Sequence, residues 1–486
     1  MSLLDAQVWS GSIFTGQWSS AAGGEMAVVE PATGEQIGRI GFAGPDDIAR
    51  AAARALEAQR DWARRSYEER AAVLRRAGAL WEEHAEEVEG WLVREAGSVP
   101  AKAATETHVA AQECYEAAAL PSNPTGEILA TAQPRLSLAR RIPVGVVGVI
   151  SPFNFPLVLA IRSVAPALAL GNAVVLKPDL RTAVCGGVSI ARVFEKAGLP
   201  EGVLHILPGD ATTGEVLVDD ANVTVISFTG STAAGRKVGE AAARHLKRAH
   251  LELGGNSALI ILDDADLDRS VSAAAWGSFL HQGQICMTTG RHLVHERIAD
   301  EFVERLAERA AALPVGDPAT EQVALGPVID SGQRDYIHAL VTASVDEGAH
   351  LAAGGTYEEL FYQPTVLTDV TPQMPAWAQE VFGPVAPVMS FSDPEEAVEL
   401  AADSSYGLVM GIITQNPLKG LELADHVHSG IVHINDQTVN DEAVAPFGGV
   451  RDSGTGARLG GPTANIEAFT ETQWVTLRSE IPAFPF

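Results

Sequence analysis

One cysteine lies in a polar, glycine-containing loop and is the residue of this chain best suited to covalent chemistry. Cys286 follows a helical segment and residues 281–285, His-Gln-Gly-Gln-Ile, so a substrate could reach its thiol. Thiols are good nucleophiles, yet an isolated cysteine in a large protein is more often a small buried apolar side chain. We interpret Cys114 and Cys185 in that second way. Cys286 is therefore the candidate nucleophile.

Two further polar side chains follow apolar runs that are predicted to be strands. Glu252 lies between leucines and precedes two glycines, and burial there would raise its pKa toward the range useful for a general base. Asn154 follows a run that ends at Ile150, and its amide could donate a hydrogen bond to a developing oxyanion. Taken singly, Glu252 could be a helix cap or half of a surface ion pair, and Asn154 an ordinary turn residue.

A turn of small residues is predicted between a strand and a helix at 228–235, Phe-Thr-Gly-Ser-Thr-Ala-Ala-Gly. This order suits a pyrophosphate group, because the amides at a helix N-terminus bind anions. The GxGxxG spacing is absent, and many α/β connections contain such a turn, so this motif alone is weak.

The elements that must position these residues form two alternating series of apolar runs and helical segments. The first series has strands predicted at 144–150, 173–176, 203–207 and 223–228, with helices at 157–170, 183–197 and 232–243. Runs of this kind are typical of parallel strands buried on both faces, so a doubly wound nucleotide-binding sheet is predicted. The second series, at 258–262, 291–295, 364–367, 385–391, 408–414 and 430–435, predicts another α/β lobe. We expect the chemistry in the cleft between the lobes.

The segment before the first sheet is predicted to be mainly helical. A short strand is expected around 14–18, and a helix begins at Pro45. A second helix starts with Ser66 and Glu69 at capping-box spacing and continues with apolar residues to Val88.

Composition excludes several classes of protein. At 486 residues the chain exceeds a single hydrophobic core, so two or three lobes are expected. Its 62 acidic and 34 basic residues give a net charge of −28, which argues against a nucleic-acid partner. Only three widely spaced cysteines occur, and the N-terminus does not read as a signal peptide, so a cytoplasmic protein is predicted. Polar residues interrupt the most apolar segment, 142–176, which is therefore not expected to span a membrane.

Several motifs occur together, in order, over nearly the whole chain. They are the Asn154 segment, Lys177-Pro178, residues 228–235, Glu252-Leu253-Gly254-Gly255, Gly283-Gln284-Ile285-Cys286, Glu380-Val381-Phe382-Gly383-Pro384 and Pro446-Phe447-Gly448-Gly449. This set closely resembles the aldehyde dehydrogenase superfamily. The resemblance implies an α/β fold with a Rossmann-type cofactor domain (1–118 and 142–251), an α/β catalytic domain (252–452) and a small β oligomerisation arm (119–141 and 465–486).

The resemblance also implies a mechanism. Cys286 would attack an aldehyde, and Asn154 and the Cys286 backbone amide would hold the resulting oxyanion. After hydride transfer to a nicotinamide, water activated by Glu252 would hydrolyse the thioester, so that one difficult step is divided into two easier ones. No metal is implied.

By the same resemblance, one set of residues would bind the dinucleotide. The set comprises Lys177 at the adenosine ribose, Gly230, Ser231 and Gly235 in the pyrophosphate motif, Glu380 at the nicotinamide ribose, and Phe153, Leu253 and Phe382 around the nicotinamide. One position departs from the family, which often has a glutamate three residues after the lysine, whereas this chain has Leu180 followed by Arg181. Loss of that carboxylate removes a repulsion against a ribose phosphate. Arg181 could attract such a phosphate or could point to solvent, so both NAD and NADP are possible cofactors.

The substrate class follows from the resemblance more than from physical reasoning. Residues 177–182, 281–291 and 435–440 look like the branch that oxidises aromatic aldehydes such as benzaldehyde or vanillin. The alternatives are an aliphatic or semialdehyde dehydrogenase, a CoA-acylating enzyme, a thiol hydrolase and a non-catalytic family member. Glu252 argues against the CoA-acylating enzyme, because that branch typically lacks the hydrolytic base.

The resemblance further implies a homodimer or homotetramer. The arm, about residues 120–141, is expected to pair with a strand near 470–477 of another subunit.

Overall fold

Residues 2–486, which the computed structural model describes, form two seven-stranded sheets, a three-stranded sheet and two small hairpins. The hairpins pair Glu25–Val29 with Gln36–Gly41 and Tyr357–Glu358 with Phe361–Tyr362. The predicted α/β class is confirmed. Two of the buried clusters fill the second sheet's lobe, and the largest surrounds the first sheet.

The first sheet has five parallel strands and an antiparallel edge. Its strands lie in the order Arg248–Glu252, Val225–Thr229, Val146–Ile150, Ala173–Lys177, Leu204–Ile206, Ser12–Phe14 and Trp18–Ser20. The chain runs outward from Val146–Ile150 in one direction and then in the other, as in a doubly wound sheet. The predicted strand at 14–18 is wrong: Phe14 pairs with Trp18 across a hairpin, and residues 15–17 form its turn.

The helices of this half of the chain include the predicted ones and three that were not predicted, Ala6–Trp9, Pro100–Ala119 and Ala211–Asp219. They are Ala6–Trp9, Pro45–Arg64, Tyr67–Glu83, Ala85–Ala96, Pro100–Ala119, Pro156–Ala169, Ser189–Ala197, Ala211–Asp219 and Thr232–Arg244, with a π-helical turn at Val184–Val188. The predicted capping box is present, since Ser66 accepts from the Glu69 amide and Glu69 accepts from the Ser66 amide. The helix that it starts ends at Glu83, however, because His84 leaves the helical region, and Val88 belongs to the next helix.

The second sheet is parallel except at one edge. Its strands lie in the order His350–Ala353, Thr365–Thr368, Val385–Phe391, Thr289–His295, Ser257–Ile261, Val409–Ile413 and Ile431–Ile434. Its helices are Leu267–Phe279, Glu296–Ala312, Ser331–Asp346, Pro375–Ala378, Pro394–Ala402 and Pro417–Ala424. All six predicted strands are present, and the seventh, His350–Ala353, is the antiparallel edge strand.

The three-stranded sheet is built within one chain. Thr470–Leu477 pairs with Leu136–Pro143, which pairs with Gly126–Ile128. The predicted pairing with another subunit's strand is therefore wrong. The reason lies in helix Pro462–Phe469, whose buried Phe469 accepts a hydrogen bond from Asn172 at 3.0 Å and so starts the last strand beside the chain's own Pro143.

The apolar segment 142–176 forms buried strands and a buried helix, as predicted. Within residues 2–486, no helix combines the length and apolar character needed to cross a membrane.

Candidate active site

The loops that carry Asn154 and Cys286 meet at a large apolar cavity, and Glu252 lies close to Cys286. The cavity has a volume of about 730 Å³, and Asn154 and Cys286 both line it. Glu252 ends the strand Arg248–Glu252 and lies outside the cavity wall, but its charge is close enough to act on the Cys286 thiol. The glycine pair after Glu252 permits this packing, because a Cβ on Gly255 would lie 2.4 Å from the Cys286 carbonyl oxygen.

The Cys286 loop is held in an unusual backbone conformation. His281, Gln282 and Gly283 all have positive φ, at 48°, 57° and 66°. Such angles are unfavourable for residues other than glycine and persist where surrounding contacts impose them. Gln282 supplies two of these contacts by donating to the Gly97 carbonyl at 3.1 Å and the Pro327 carbonyl at 2.7 Å. The loop is therefore rigidly placed.

Two carboxylates and burial keep the Cys286 thiol protonated in this arrangement. Burial is the largest cause, the charge of Glu380 is the next, and together with Glu252 they raise the pKa of Cys286 to about 12. Glu380 lies half-buried beside the same glycine pair and accepts a hydrogen bond from the Gly255 amide at 3.0 Å. A Cβ on Gly254 would lie 2.1 Å from a Glu380 carboxylate oxygen, so a larger residue there would displace that carboxylate.

Replacing Glu380 with glutamine is expected to make the Cys286 thiol more reactive. Removing the negative charge stabilises the thiolate, so the pKa of Cys286 falls and alkylation by iodoacetamide at pH about 8 accelerates roughly 3- to 10-fold. Glu321→Gln, at a more distant carboxylate of the cavity wall, is the control and should leave the rate unchanged. Equal rates in wild type and Glu380→Gln would contradict the assigned influence of Glu380.

Glu252 is a buried carboxylate with a raised pKa. Burial raises the pKa of Glu252 to about 8, and the Arg458 charge and the Gly449 amide oppose this without completing a hydrogen bond of normal geometry. Glu252 is therefore neither a helix cap nor half of a surface ion pair. At neutral pH a carboxyl with this pKa can both release and accept a proton.

Asn154 lies buried in the loop after the strand Val146–Ile150. Its side-chain amide donates to the Gln284 carbonyl at 2.9 Å, two residues before Cys286. A side-chain amide has two N–H groups, so one donor remains for a substrate oxygen. The hydrogen bond fixes the relative position of Asn154 and the nucleophile loop.

The first sheet offers a dinucleotide site at its switch point. Strands Val146–Ile150 and Val225–Thr229 are neighbours, and their carboxyl ends carry the Asn154 loop and the Gly230–Ser231 turn respectively. Ligands of doubly wound sheets bind where the strand order reverses. Ser231 caps helix Thr232–Arg244 by accepting from the Ala234 amide at 3.3 Å. The sequence prediction of a strand, turn and helix is confirmed, and the residues present fit a pyrophosphate.

Gly235 serves packing. A Cβ at Gly235 would lie 2.2 Å from a methyl carbon of Leu253, so a larger residue there would force the Leu253 side chain to move. The predicted pyrophosphate contact of Gly235 stays a prediction.

The remaining predicted cofactor residues surround the same sheet edge. Lys177 ends the strand Ala173–Lys177, and its ammonium group has only a 3.5 Å contact with the Pro178 carbonyl. Phe153 and Phe382 meet edge to face with ring centroids 5.9 Å apart. One carboxylate oxygen of Glu380 accepts from the Gly255 amide at 3.0 Å, which leaves the other oxygen without that contact.

Arg181 neither points freely to solvent nor stands available for a phosphate. Its guanidinium pairs with Asp179 at 2.8 Å and Asp330 at 2.7 Å and covers the Phe153 ring at 4.2 Å. Two carboxylates neutralise its charge, so a ribose phosphate would gain little attraction there.

Sequence reasoning missed two buried ionic groups beside the site. Lys102 pairs with Glu106 on helix Pro100–Ala119. Arg162, on helix Pro156–Ala169, pairs with Glu113 and Asp441 and covers the Phe447 ring at 4.9 Å. The i, i+4 spacing of Lys102 and Glu106 within a largely apolar helix was the available signal.

The chain therefore combines a doubly wound α/β sheet with a rigid cysteine loop and a buried carboxylate beside an apolar cavity. The chain belongs to the aldehyde dehydrogenase family, whose sequence model matches residues 18–475.

Individual members of the family match the chain over its whole length. It is 69% identical over 486 residues to a vanillin dehydrogenase from Amycolatopsis sp., covering 100% of both proteins. It is 50% identical to a benzaldehyde dehydrogenase (NAD+) from Pseudomonas putida, covering 99% of this chain and 98% of that protein. The solved structure of betaine aldehyde dehydrogenase from Staphylococcus aureus in complex with NAD+ gives a TM-score of 0.96 at 29% identity, covering 100% of this chain and 98% of the other.

Proposed function

We propose that this enzyme oxidises an aromatic aldehyde to the carboxylic acid with NAD as cofactor. The observation that carries the proposal is that Cys286 and Asn154 line one apolar cavity while the charge of Glu252 acts on the Cys286 thiol. The cavity wall includes the aromatic side chains of Phe155, Trp276, Phe279 and Phe447. Aromatic walls favour a flat aromatic substrate, and the names of the vanillin and benzaldehyde relatives support the same class.

The proposed chemistry begins with Cys286. Its thiol proton passes to solvent, and the sulfur forms a bond to the aldehyde carbon while the carbonyl oxygen becomes an oxyanion. The free N–H of Asn154 and the Cys286 backbone amide donate to that oxygen, which lowers the barrier because both donors are already in place. The hydride that leaves the same carbon would be taken up by the nicotinamide that a bound NAD would supply beside Cys286.

Glu252 completes the reaction by activating water. The carboxylate takes a proton from the water that attacks the thioester carbon, and the bond to sulfur breaks as the acid forms. Cys286 returns as the thiolate. Glu252 argues against transfer to CoA, because a hydrolytic base is required only when water is the acceptor.

The predicted cofactor residues are retained as proposed contacts. Lys177 and Glu380 would bind the two riboses, Gly230, Ser231 and Gly235 the pyrophosphate region, and Phe153, Leu253 and Phe382 the nicotinamide. The neutralised Arg181 favours NAD over NADP.

The division into a cofactor domain, a catalytic domain and an arm is also proposed, with the boundaries given above. Exposed apolar side chains on the arm, Ile128, Leu136, Trp474 and Leu477, suit a homo-oligomeric interface that sedimentation would detect. A cytoplasmic location is proposed because all three cysteines are free thiols.

Steady-state assays with benzaldehyde, vanillin and a short aliphatic aldehyde test the substrate class. We expect kcat/KM at least about 10-fold higher for the aromatic aldehydes, because they fill the apolar cavity. Formation of reduced cofactor is followed by absorbance. Activity confined to the aliphatic aldehyde would keep the mechanism and refute the aromatic class, and inactivity on all three would favour a non-catalytic role.

The same assays with NAD and NADP test the cofactor. We expect NAD to be preferred by about 10-fold or more in kcat/KM, because Asp179 and Asp330 occupy Arg181. Asp330→Asn removes one of the two carboxylates that pair with the Arg181 guanidinium and should therefore reduce the preference for NAD over NADP. Asp335→Asn, at an exposed aspartate nearby in sequence, is the control and should leave that preference unchanged. Equal use of both cofactors by the wild-type enzyme would contradict the proposal.

A further inference from the structure

Two buried charged side chains on one helix bind backbone groups of the Asn154 loop and of the helix that follows it. Lys102 and Glu106 lie one turn apart on helix Pro100–Ala119, with 4% and 1% of their surfaces exposed. The Lys102 ammonium donates to the Asn154 carbonyl at 2.8 Å and to one oxygen of Glu106. The other Glu106 oxygen accepts from the Leu157 amide at 2.9 Å and the Val158 amide at 3.3 Å.

These contacts replace a cap that the local sequence does not provide. Helix Pro156–Ala169 begins after Phe155, which has no side-chain acceptor for the first free amides. Pro156 has no N–H, so the Leu157 and Val158 amides are the ones that need acceptors. Glu106 caps them from another helix, and Lys102 fixes the carbonyl on the other side of the turn while lying 4.2 Å from the centre of the Phe155 ring.

We propose that Lys102 and Glu106 are positioning residues that hold Asn154 in its oxyanion-binding position. Asn154 is then fixed at both ends, by Lys102 at its backbone carbonyl and by the Gln284 carbonyl at its side-chain amide. Donors held in position stabilise a developing charge without reorganisation during the reaction. The inference rests on the proposed function, because it assigns the oxyanion to Asn154.

A purely structural role makes a different prediction, since removing one member of a buried ion pair destabilises a protein wherever the pair lies. The test variant is therefore the Lys102→Met/Glu106→Gln double variant, which removes both charges and keeps an amide oxygen for the helix cap. Cys114→Ala is the matched control, because Cys114 is buried on the same helix and does not contact the Asn154 loop.

The experiment is a double-mutant cycle with Asn154→Ala, read as the rate constant of hydride transfer after rapid mixing with a saturating aromatic aldehyde and NAD. Asn154→Ala alone is expected to lower the rate about 100-fold, and the double variant about 30-fold. In the Asn154→Ala background the double variant should lower it by no more than about 2-fold, because the donor it positions is already gone. Cys114→Ala should shift the melting temperature without changing the rate in either background.

Three results would overturn the inference. An equal loss of rate from the double variant in both backgrounds would show that the pair acts independently of Asn154, and an unchanged rate in the native background would show that it does not position Asn154. An unchanged rate in Asn154→Ala by itself would remove the proposed oxyanion role and the inference with it. If the double variant does not fold, Lys102→Gln/Glu106→Gln takes its place in the same cycle, and it should lower the rate more in the native background than in the Asn154→Ala background.

Discussion

Replacing Cys286 with alanine is expected to lower aldehyde oxidation by at least about 10,000-fold. The sulfur forms the covalent bond on which both later steps depend, and the other cysteines of the described chain, Cys114 and Cys185, are fully buried and distant in sequence. NAD binding, measured by fluorescence titration, should change less than about 3-fold, because the proposed dinucleotide contacts belong to other residues.

Cys185→Ala is the matched control for this experiment. Cys185 is a buried thiol in the turn before helix Ser189–Ala197, so its loss should lower the melting temperature and leave activity per folded enzyme nearly unchanged. Residual oxidation above about 1% in Cys286→Ala would contradict the assignment of the nucleophile. Complete loss of aldehyde oxidation in a folded Cys185→Ala variant would also contradict the assignment of Cys286 as the nucleophile.

The central strands could be predicted because their environment leaves a direct mark on sequence. A parallel strand covered on both faces is continuously apolar, and Val146–Ile150 and Val385–Phe391 therefore stand out from their surroundings. The three-residue strands Ser12–Phe14 and Trp18–Ser20 are too short for a pattern to emerge. Partner choice was also hidden, because Thr470–Leu477 pairs within its own chain through the burial of Phe469, which depends on residues far away.

The site followed the same division between local and distant causes. Glu252 could be predicted to be buried because leucines flank it in the chain. The state of Arg181 could not, because one of its two carboxylate partners, Asp330, lies far away in sequence. Lys102 and Glu106 were missed for a similar reason, since their function depends on backbone groups of a loop about 50 residues later.

Replacing Glu252 with glutamine is expected to separate the two halves of the reaction. Glutamine has nearly the same shape and cannot take a proton from water, so hydride transfer continues and thioester hydrolysis slows. Rapid mixing should give a burst of about one reduced cofactor per active site, followed by turnover lowered roughly 100- to 1,000-fold. Slow hydride transfer without a burst would contradict the assigned role.

The pH dependence gives an independent check on the same residue. Burial raises the pKa of Glu252 to about 8, and only the deprotonated form accepts a proton, so thioester hydrolysis should accelerate as pH rises through about 8 and then level off. This rising limb of the pH–rate profile should disappear in Glu252→Gln. Glu380, whose pKa burial raises to about 7, is the control, because Glu380→Gln should leave the limb near 8 in place. If the limb survived in Glu252→Gln, another group or hydroxide ion would be activating the water, and Glu252 would lose its role as the base.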